Sequence, residues 1–185
     1  MRVITGSARG THLASPKGMD TRPTADRVKE SLFNILGNSV AEKNVLDLFA
    51  GTGNLGIEAL SRGAKSATFI DAVTDKIIRE NLKRTHLEDM GEVIKGDVFK
   101  TLKRLWQEKR VYDLIFIDPP YFKDLSQKTM DFLNSFRLFS DNSIIVVEYG
   151  FKEIFAVYDN LELKREVAYG KTTKIGFFVG KGKND

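Results

Sequence analysis

Val45-Leu46-Asp47-Leu48-Phe49-Ala50-Gly51-Thr52-Gly53-Asn54-Leu55-Gly56 reads as a buried strand, a glycine turn and the first turn of a helix. Apart from Asp47 the opening run is apolar, as a strand covered on both faces requires. Gly51 and Gly53 allow a tight bend and let a ligand lie against bare backbone. Gly51, Gly53 and Gly56 also have the G-x-G-x-x-G spacing of a dinucleotide fingerprint. Asp71, about 20 residues on, ends the next strand and is placed to accept hydrogen bonds from a ribose diol. A strand-to-helix turn with no ligand is the plain alternative for the same residues.

Outward from this unit, strands and helices alternate. A helix runs from Thr24 or Asp26, either a good N-cap, to Gly37 or Asn38, and carries Val28, Leu32, Ile35 and Leu36 at helical spacing. Strands are predicted at Asn44–Phe49, Lys65–Asp71, Glu92–Lys95, Val111–Asp118 and Ser143–Glu148. Helices are predicted at Asn54–Arg62, Thr74–His86, Val98–Lys109 (Leu102, Leu105 and Trp106 on one face) and Leu125–Phe136. Residues 2–14 read as a short hairpin, and Leu163–Ala168 with Lys174–Val179 as a closing one. The pattern predicts an α/β fold: a doubly wound, mostly parallel seven-stranded sheet with helices on both faces and an antiparallel C-terminal hairpin at one edge. We expect one domain over 1–185, with 1–40 an N-terminal β-hairpin/helix extension and 41–185 the core.

Composition narrows the field. The chain has 185 residues, 42% of them hydrophobic, enough for a real core. No apolar run is long enough for a transmembrane helix, and the first residues lack the apolar core of a signal peptide. There is no cysteine, which excludes disulfides and thiolate metal sites and fits a cytoplasmic setting. With His12 and His86 the only histidines, no metal site is expected. The net charge of +4 permits a polyanionic partner without requiring one. No long exposed apolar surface is evident, so a monomer is expected.

A second corner follows the run Leu114-Ile115-Phe116-Ile117: Asp118-Pro119-Pro120-Tyr121. Neither proline donates to a ladder, so the strand stops there, and Pro119 keeps Asp118 extended. Such a corner presents a carboxylate, the Pro119 carbonyl and an aromatic face to a flat ligand with an amino group. Asp47 argues against a nicotinamide dinucleotide, since a carboxylate beside the glycine turn repels a diphosphate and suits a cation. S-adenosylmethionine carries a sulfonium and an ammonium and no phosphate. Asp97 ends the third strand and is placed to accept from an adenine amine, with Val98 near the ring; a plain helix N-cap explains Asp97 equally well. Arg2, Arg9, Lys17, Arg22, Arg27 and Lys29 make the N-terminal segment basic, either as a solvated arm or as a phosphate-contacting surface.

V-L-D-L-F-A-G-T-G-x-L-G together with I-D-P-P-Y resembles the S-adenosylmethionine-dependent amino-methyltransferases of the Rossmann-like class. Arg22-Pro23-Thr24-Ala25-Asp26-Arg27-Val28-Lys29-Glu30-Ser31-Leu32-Phe33-Asn34, Arg9-Gly10 and Leu55-Gly56-Ile57-Glu58-Ala59-Leu60-Ser61-Arg62-Gly63-Ala64 narrow this to a resemblance to the bacterial RsmD family. That family methylates a guanine-N2 amine of 16S ribosomal RNA. The resemblance implies S-adenosyl-L-methionine as cofactor, with 16S ribosomal RNA or an assembling small subunit as partner. It implies Asp118, Pro119 and Tyr121 as catalytic residues, and Asp47, Gly51, Gly53, Asp71, Asp97 and Val98 around the cofactor. Arg9, Arg22 and Arg27 would contact RNA. Asp71 departs from the family pattern, where Glu is commoner. D-P-P-Y also occurs in DNA adenine-N6 methyltransferases, so the motif alone indicates an amine and not the base. An NAD-dependent oxidoreductase and a non-catalytic RNA-binding module are the remaining alternatives.

Overall fold

The computed structural model describes residues 1–16, 23–120 and 124–182, with 23–25 in backbone alone; Arg22 and Tyr121 lie outside the described residues. The elements are α1 (Pro23–Leu36), β1 (Asn44–Leu48), α2 (Asn54–Ser61), β2 (Ser66–Asp71), α3 (Asp75–Thr85), β3 (Gly91–Lys95), α4 (Val98–Gln107), β4 (Tyr112–Ile117), α5 (Leu125–Ser135), β5 (Phe139–Gly150), β6 (Leu161–Tyr169) and β7 (Thr173–Gly180). They form one seven-stranded sheet in the order β3-β2-β1-β4-β5-β7-β6. β1 to β5 are mutually parallel, and β7 lies antiparallel between β5 and β6. The predicted fold class is borne out.

Two apolar layers hold the sheet. Alternate side chains point to opposite faces of a strand, so Val45, Phe69, Phe116 and Val146 pack under α1, α2 and α3, against Phe33, Ile57 and Ile78. Leu46, Leu48, Ile115 and Ile117 pack on the other face against Leu102 and Leu105 of α4 and Met130 and Leu133 of α5. Phe33 and Phe116 are fully buried with ring centroids 5.7 Å apart. Truncating either to Ala costs about 3–5 kcal/mol.

Three details differ from the sequence reading. β5 begins at Phe139, not Ser143, because an irregularity separates the Tyr112–Phe139 pair from the Leu114–Ile144 pair and takes up the polar residues between. Asn142 holds a positive φ of 65° there, and the Ser143 hydroxyl accepts the Ser140 N–H at 3.0 Å. Trp106 is 41% exposed, not core; its ring packs edge-on against Phe136. The N-terminal hairpin shrinks to a single bridge, Arg2 with His12, yet Val3, Ala8 and Leu13 join the core under α1 to α3.

Candidate active site

Leu48 of β1 lies opposite Ile117 of β4. The winding reverses at this pair: β2 and β3 lie beyond β1, and β5 beyond β4. Doubly wound sheets open a crevice at such a switch point, at the carboxyl ends of the strands. The glycine turn and the Asp118-Pro119-Pro120 corner therefore leave the sheet from neighbouring strands about 4.8 Å apart.

Backbone geometry at the glycine turn is unusual. Gly51 and Gly53 have φ of 56° and 77°, and Phe49 has 59°. A left-handed conformation costs a bulky residue of order 1–3 kcal/mol and persists only where its surroundings impose it. Here the Ala50 N–H donates to Ile70 O at 3.1 Å and the Gly53 N–H to Ala50 O at 2.7 Å, which fixes the turn.

Asp71 ties this turn to the next. Its Oδ2 accepts the Gly51 N–H at 2.9 Å, and its Oδ1 accepts those of Val73 and Thr74 at 2.8 and 2.9 Å. Burial pushes its pKa upward, but the three N–H bonds outweigh burial and hold it below the ordinary value. Asp71 is thus a fixed anion at the crevice, and its Oδ2, which accepts a single N–H bond, keeps a lone pair for a ligand.

Asp47 is buried deeper than the sequence suggests. Its side chain is 1% exposed and its Oδ2 accepts the Gly56 N–H at 2.8 Å, so it holds the base of α2 instead of lining open space. Burial raises its pKa to about 7, the Asp71 charge adds to this, and the Gly56 bond opposes it. Gly56 is needed for close approach: a Cβ there would lie 2.3 Å from the Phe69 ring. Asp97 caps α4, its Oδ1 accepting the Lys100 N–H at 2.9 Å, while Val98 is buried in the core.

Asp118 is exposed at the crevice and Pro119 is buried behind it. Loss of water around the carboxyl raises its pKa well above the ordinary value, and the charges of Glu148 and Asp47 push the same way.

Lys29, read from the sequence as part of a basic surface, is instead buried, and with Glu58 and Asn81, which that reading did not select, it fastens the N-terminal segment to this site. Glu58, fully buried in α2, accepts the N–H groups of Ile4 (2.8 Å) and Thr5 (3.0 Å) and pairs with Lys29 (3.1 Å) and Arg62 (2.8 Å). Lys29 also donates to Arg2 O at 2.6 Å and to Asn54 Oδ1 at 2.7 Å, one residue past Gly53. Buried Asn81 of α3 spans Ala14 and the Thr52 carbonyl, its Nδ2 donating to the latter at 2.9 Å. The basic segment is therefore joined to the glycine turn through buried polar bonds.

Arg27 of α1 and Arg165 of β6 face one shallow groove of about 540 Å³, with Glu30, Asn34 and Val167. The Tyr169 hydroxyl donates to Ser31 Oγ at 2.7 Å and holds the β6 end against α1. Arg9 is exposed on the N-terminal turn and is not part of the groove. A second cavity, about 480 Å³, lies at the amino ends of β1 to β4, lined by Lys65, Met90 and Arg110, far from both corners.

A 3-2-1-4-5-7-6 sheet with an antiparallel seventh strand, and a glycine turn beside an Asp-Pro-Pro corner, define a Rossmann-like methyltransferase fold. The family model described as Conserved hypothetical protein 95 matches residues 1–178, and the chain belongs to that family, bearing out the resemblance to RsmD proteins. It is 36% identical over 151 residues to Ribosomal RNA small subunit methyltransferase D of Escherichia coli, covering 80% of this chain and 74% of that one. It is 35% identical over 175 residues to YlbH of Bacillus subtilis, covering 93% and 95%. The solved structure of yhhF from Escherichia coli, 31% identical, superposes over 99% of both chains with a TM-score of 0.85.

Proposed function

We propose that this protein transfers a methyl group from S-adenosyl-L-methionine to the exocyclic N2 amine of a guanine in 16S ribosomal RNA of the small subunit. The observation that carries the reading is the pairing of Leu48 with Ile117, which sets the glycine turn and the Asp118 corner side by side. Family membership adds the substrate class, since the Escherichia coli relative is named a small-subunit ribosomal RNA methyltransferase.

The residues fit the cofactor. Gly51 and Gly53 leave bare backbone, and a Cβ on Gly51 would meet only Phe49 O, at 3.9 Å. Asp71 is a fixed carboxylate for a ribose. Gly51, Gly53, Asp71, Asp97 and Val98 would hold S-adenosyl-L-methionine, which supplies an electrophilic methyl on sulfur. Asp47 serves from beneath by fixing Gly56.

The guanine amine is a weak nucleophile because its lone pair delocalises into the ring. Asp118 and the Pro119 carbonyl accept its two N–H bonds, localise the lone pair and stabilise positive charge developing on nitrogen. The raised pKa of Asp118 suits it to take the proton that the amine loses. Tyr121, outside the described residues, is assigned to stack on the base, a contact worth about 1–3 kcal/mol. The base must be unstacked or in a loop to reach the crevice. Arg9, Arg22 and Arg27 on the 1–40 extension contact RNA phosphates, with 41–185 as the catalytic core.

The test is Asp118→Ala. Methyl transfer to small-subunit RNA or particles should vanish, while RNA binding and S-adenosylhomocysteine binding persist. Turnover near the wild-type rate would refute the role. Nucleoside analysis of the wild-type product checks the base, and a rise in melting temperature with S-adenosylhomocysteine but not NAD checks the cofactor.

A further inference from the structure

Asp118 has a neighbour that the proposed reaction does not yet use. β4 and β5 run parallel with Ile117 opposite Val147, so the next positions along the two strands are Asp118 and Glu148. Glu148 pairs with Ile175 on its other side, and Ile175 packs with Val146 under α1 to α3. Alternation along β5 turns Glu148 to that same face. Ile117 packs on the opposite face, so alternation along β4 turns Asp118 toward Glu148. The Glu148 backbone is held in place, its carbonyl accepting the Ser126 hydroxyl at 3.1 Å, and its side chain is half-buried. The upward pull of the Glu148 charge on the Asp118 pKa agrees with this adjacency.

Guanine and adenine differ at the edge such a pair would meet. Beside its amine guanine carries N1–H, a donor, whereas adenine carries N1 with a lone pair. A second carboxylate next to the amine site gains a hydrogen bond from guanine and meets an unpaired lone pair in adenine. We propose that Glu148 is a specificity-determining residue that accepts the N1–H of the target guanine while Asp118 and Pro119 hold its amine. The inference rests on the guanine-N2 reading and explains why an Asp-Pro-Pro corner shared with adenine enzymes takes guanine here. Sites built to bond a substrate N–H reject analogues lacking it by up to about 10⁴–10⁵-fold. For a half-buried carboxylate we expect about 10- to 10³-fold.

The experiment is a cycle between enzyme and base. The methylated position is first mapped by nuclease digestion and mass spectrometry. Small-subunit RNA is then assembled with guanosine or 2-aminopurine riboside at that position. The analogue keeps the N2 amine but has no N1–H, and comparing variants cancels its different intrinsic reactivity. Wild type should lose about 10-fold or more in kcat/KM on the analogue. Glu148→Ala should lose about as much on guanosine, lose under threefold relative to wild type on the analogue, and bind S-adenosylhomocysteine within twofold of wild type. Glu148→Gln, which keeps an acceptor oxygen, should fall between, and it becomes the deciding variant if Glu148→Ala fails to fold. If the variant loses the same factor on both bases, Glu148 does not read N1–H, and the methylation reading survives. If the mapped methyl lies anywhere but guanine N2, both fall.

Discussion

Replacing Glu58 by Gln removes the paired countercharge of a buried lysine. Lys29 and Glu58 are 1% and 0% exposed, with Nζ and Oε2 3.1 Å apart. After the change, the ammonium keeps the neutral acceptors Arg2 O and Asn54 Oδ1 and, at longer range, the Asp26 charge. Of the two Glu58 oxygens that accept from Ile4 and Thr5, one becomes an amide donor aimed at a donor. Breaking a buried pair in this way costs about 3–5 kcal/mol, against a total stability of about 5–15 kcal/mol. At about 2–4 °C per kcal/mol for a chain of this size, the melting temperature should fall by about 6–20 °C. Removing the stranded charge as well, in the double variant Lys29→Met/Glu58→Gln, should recover part of the loss. Thermal and urea melts at pH 7 measure both, and hydrogen exchange at the Ile4 and Thr5 amides shows whether the N-terminal segment loosens first. A fall of under 2 °C for Glu58→Gln, or a double variant no more stable than the single one, would mean that the pair is not what anchors this segment.

Other perturbations probe the site from different sides. Gly56→Ala should destabilise by about 1–3 kcal/mol through overpacking against Phe69, read in urea melts, and weaken S-adenosylhomocysteine binding in calorimetry. Asp47 titrates near 7 when folded and near 3.8 when unfolded. The native state therefore keeps a proton that the unfolded chain has lost, and its stability should fall as pH rises between those values, by at most about 4 kcal/mol. Asp47→Asn, which keeps an acceptor for Gly56, should flatten that slope; a variant with wild-type pH dependence would remove Asp47 as its cause. Arg27→Ala and Arg165→Ala should each weaken RNA binding and lower the salt slope of log K by about 1. Unchanged slopes would clear the α1–β6 groove of any role with RNA.

The fold was legible because its signals are local. Strand runs such as Leu114-Ile115-Phe116-Ile117, the stop at Gly37 or Asn38 and the helical spacing of Leu32 and Leu36 are read within one turn or one strand. Gly51, Asp71 and Asp118 could be picked out for the same reason, each lying at or just past the end of a strand. Glu148 and Arg165 were not, because their meaning depends on which strands become neighbours, and register is a property of the sheet. Lys29, Glu58 and Asn81 were hidden differently. On a helix pattern a Lys and a Glu read as solvated, and nothing local says that the N-terminal segment will cover them. Trp106 misled because helical periodicity marks a face without saying how far the neighbouring layer extends.

Several of the places where local rules fail lie at the crevice. Phe49 takes a backbone region that suits glycine, Asp47 is a carboxylate in an apolar layer, and Asp118 stands beside Glu148 on adjacent strands. Each costs stability, and each persists because the two packed layers around the sheet impose it. The N-terminal segment belongs to the same logic. It covers Glu58 and, through Lys29 and Asn81, bonds to Asn54 and Thr52 on either side of Gly53. A segment that only carried positive charge to RNA would need exposed arginines and no buried anchors. The structure gives it both: Arg9 and Arg27 are exposed, while Lys29, Glu58 and Asn81 are buried.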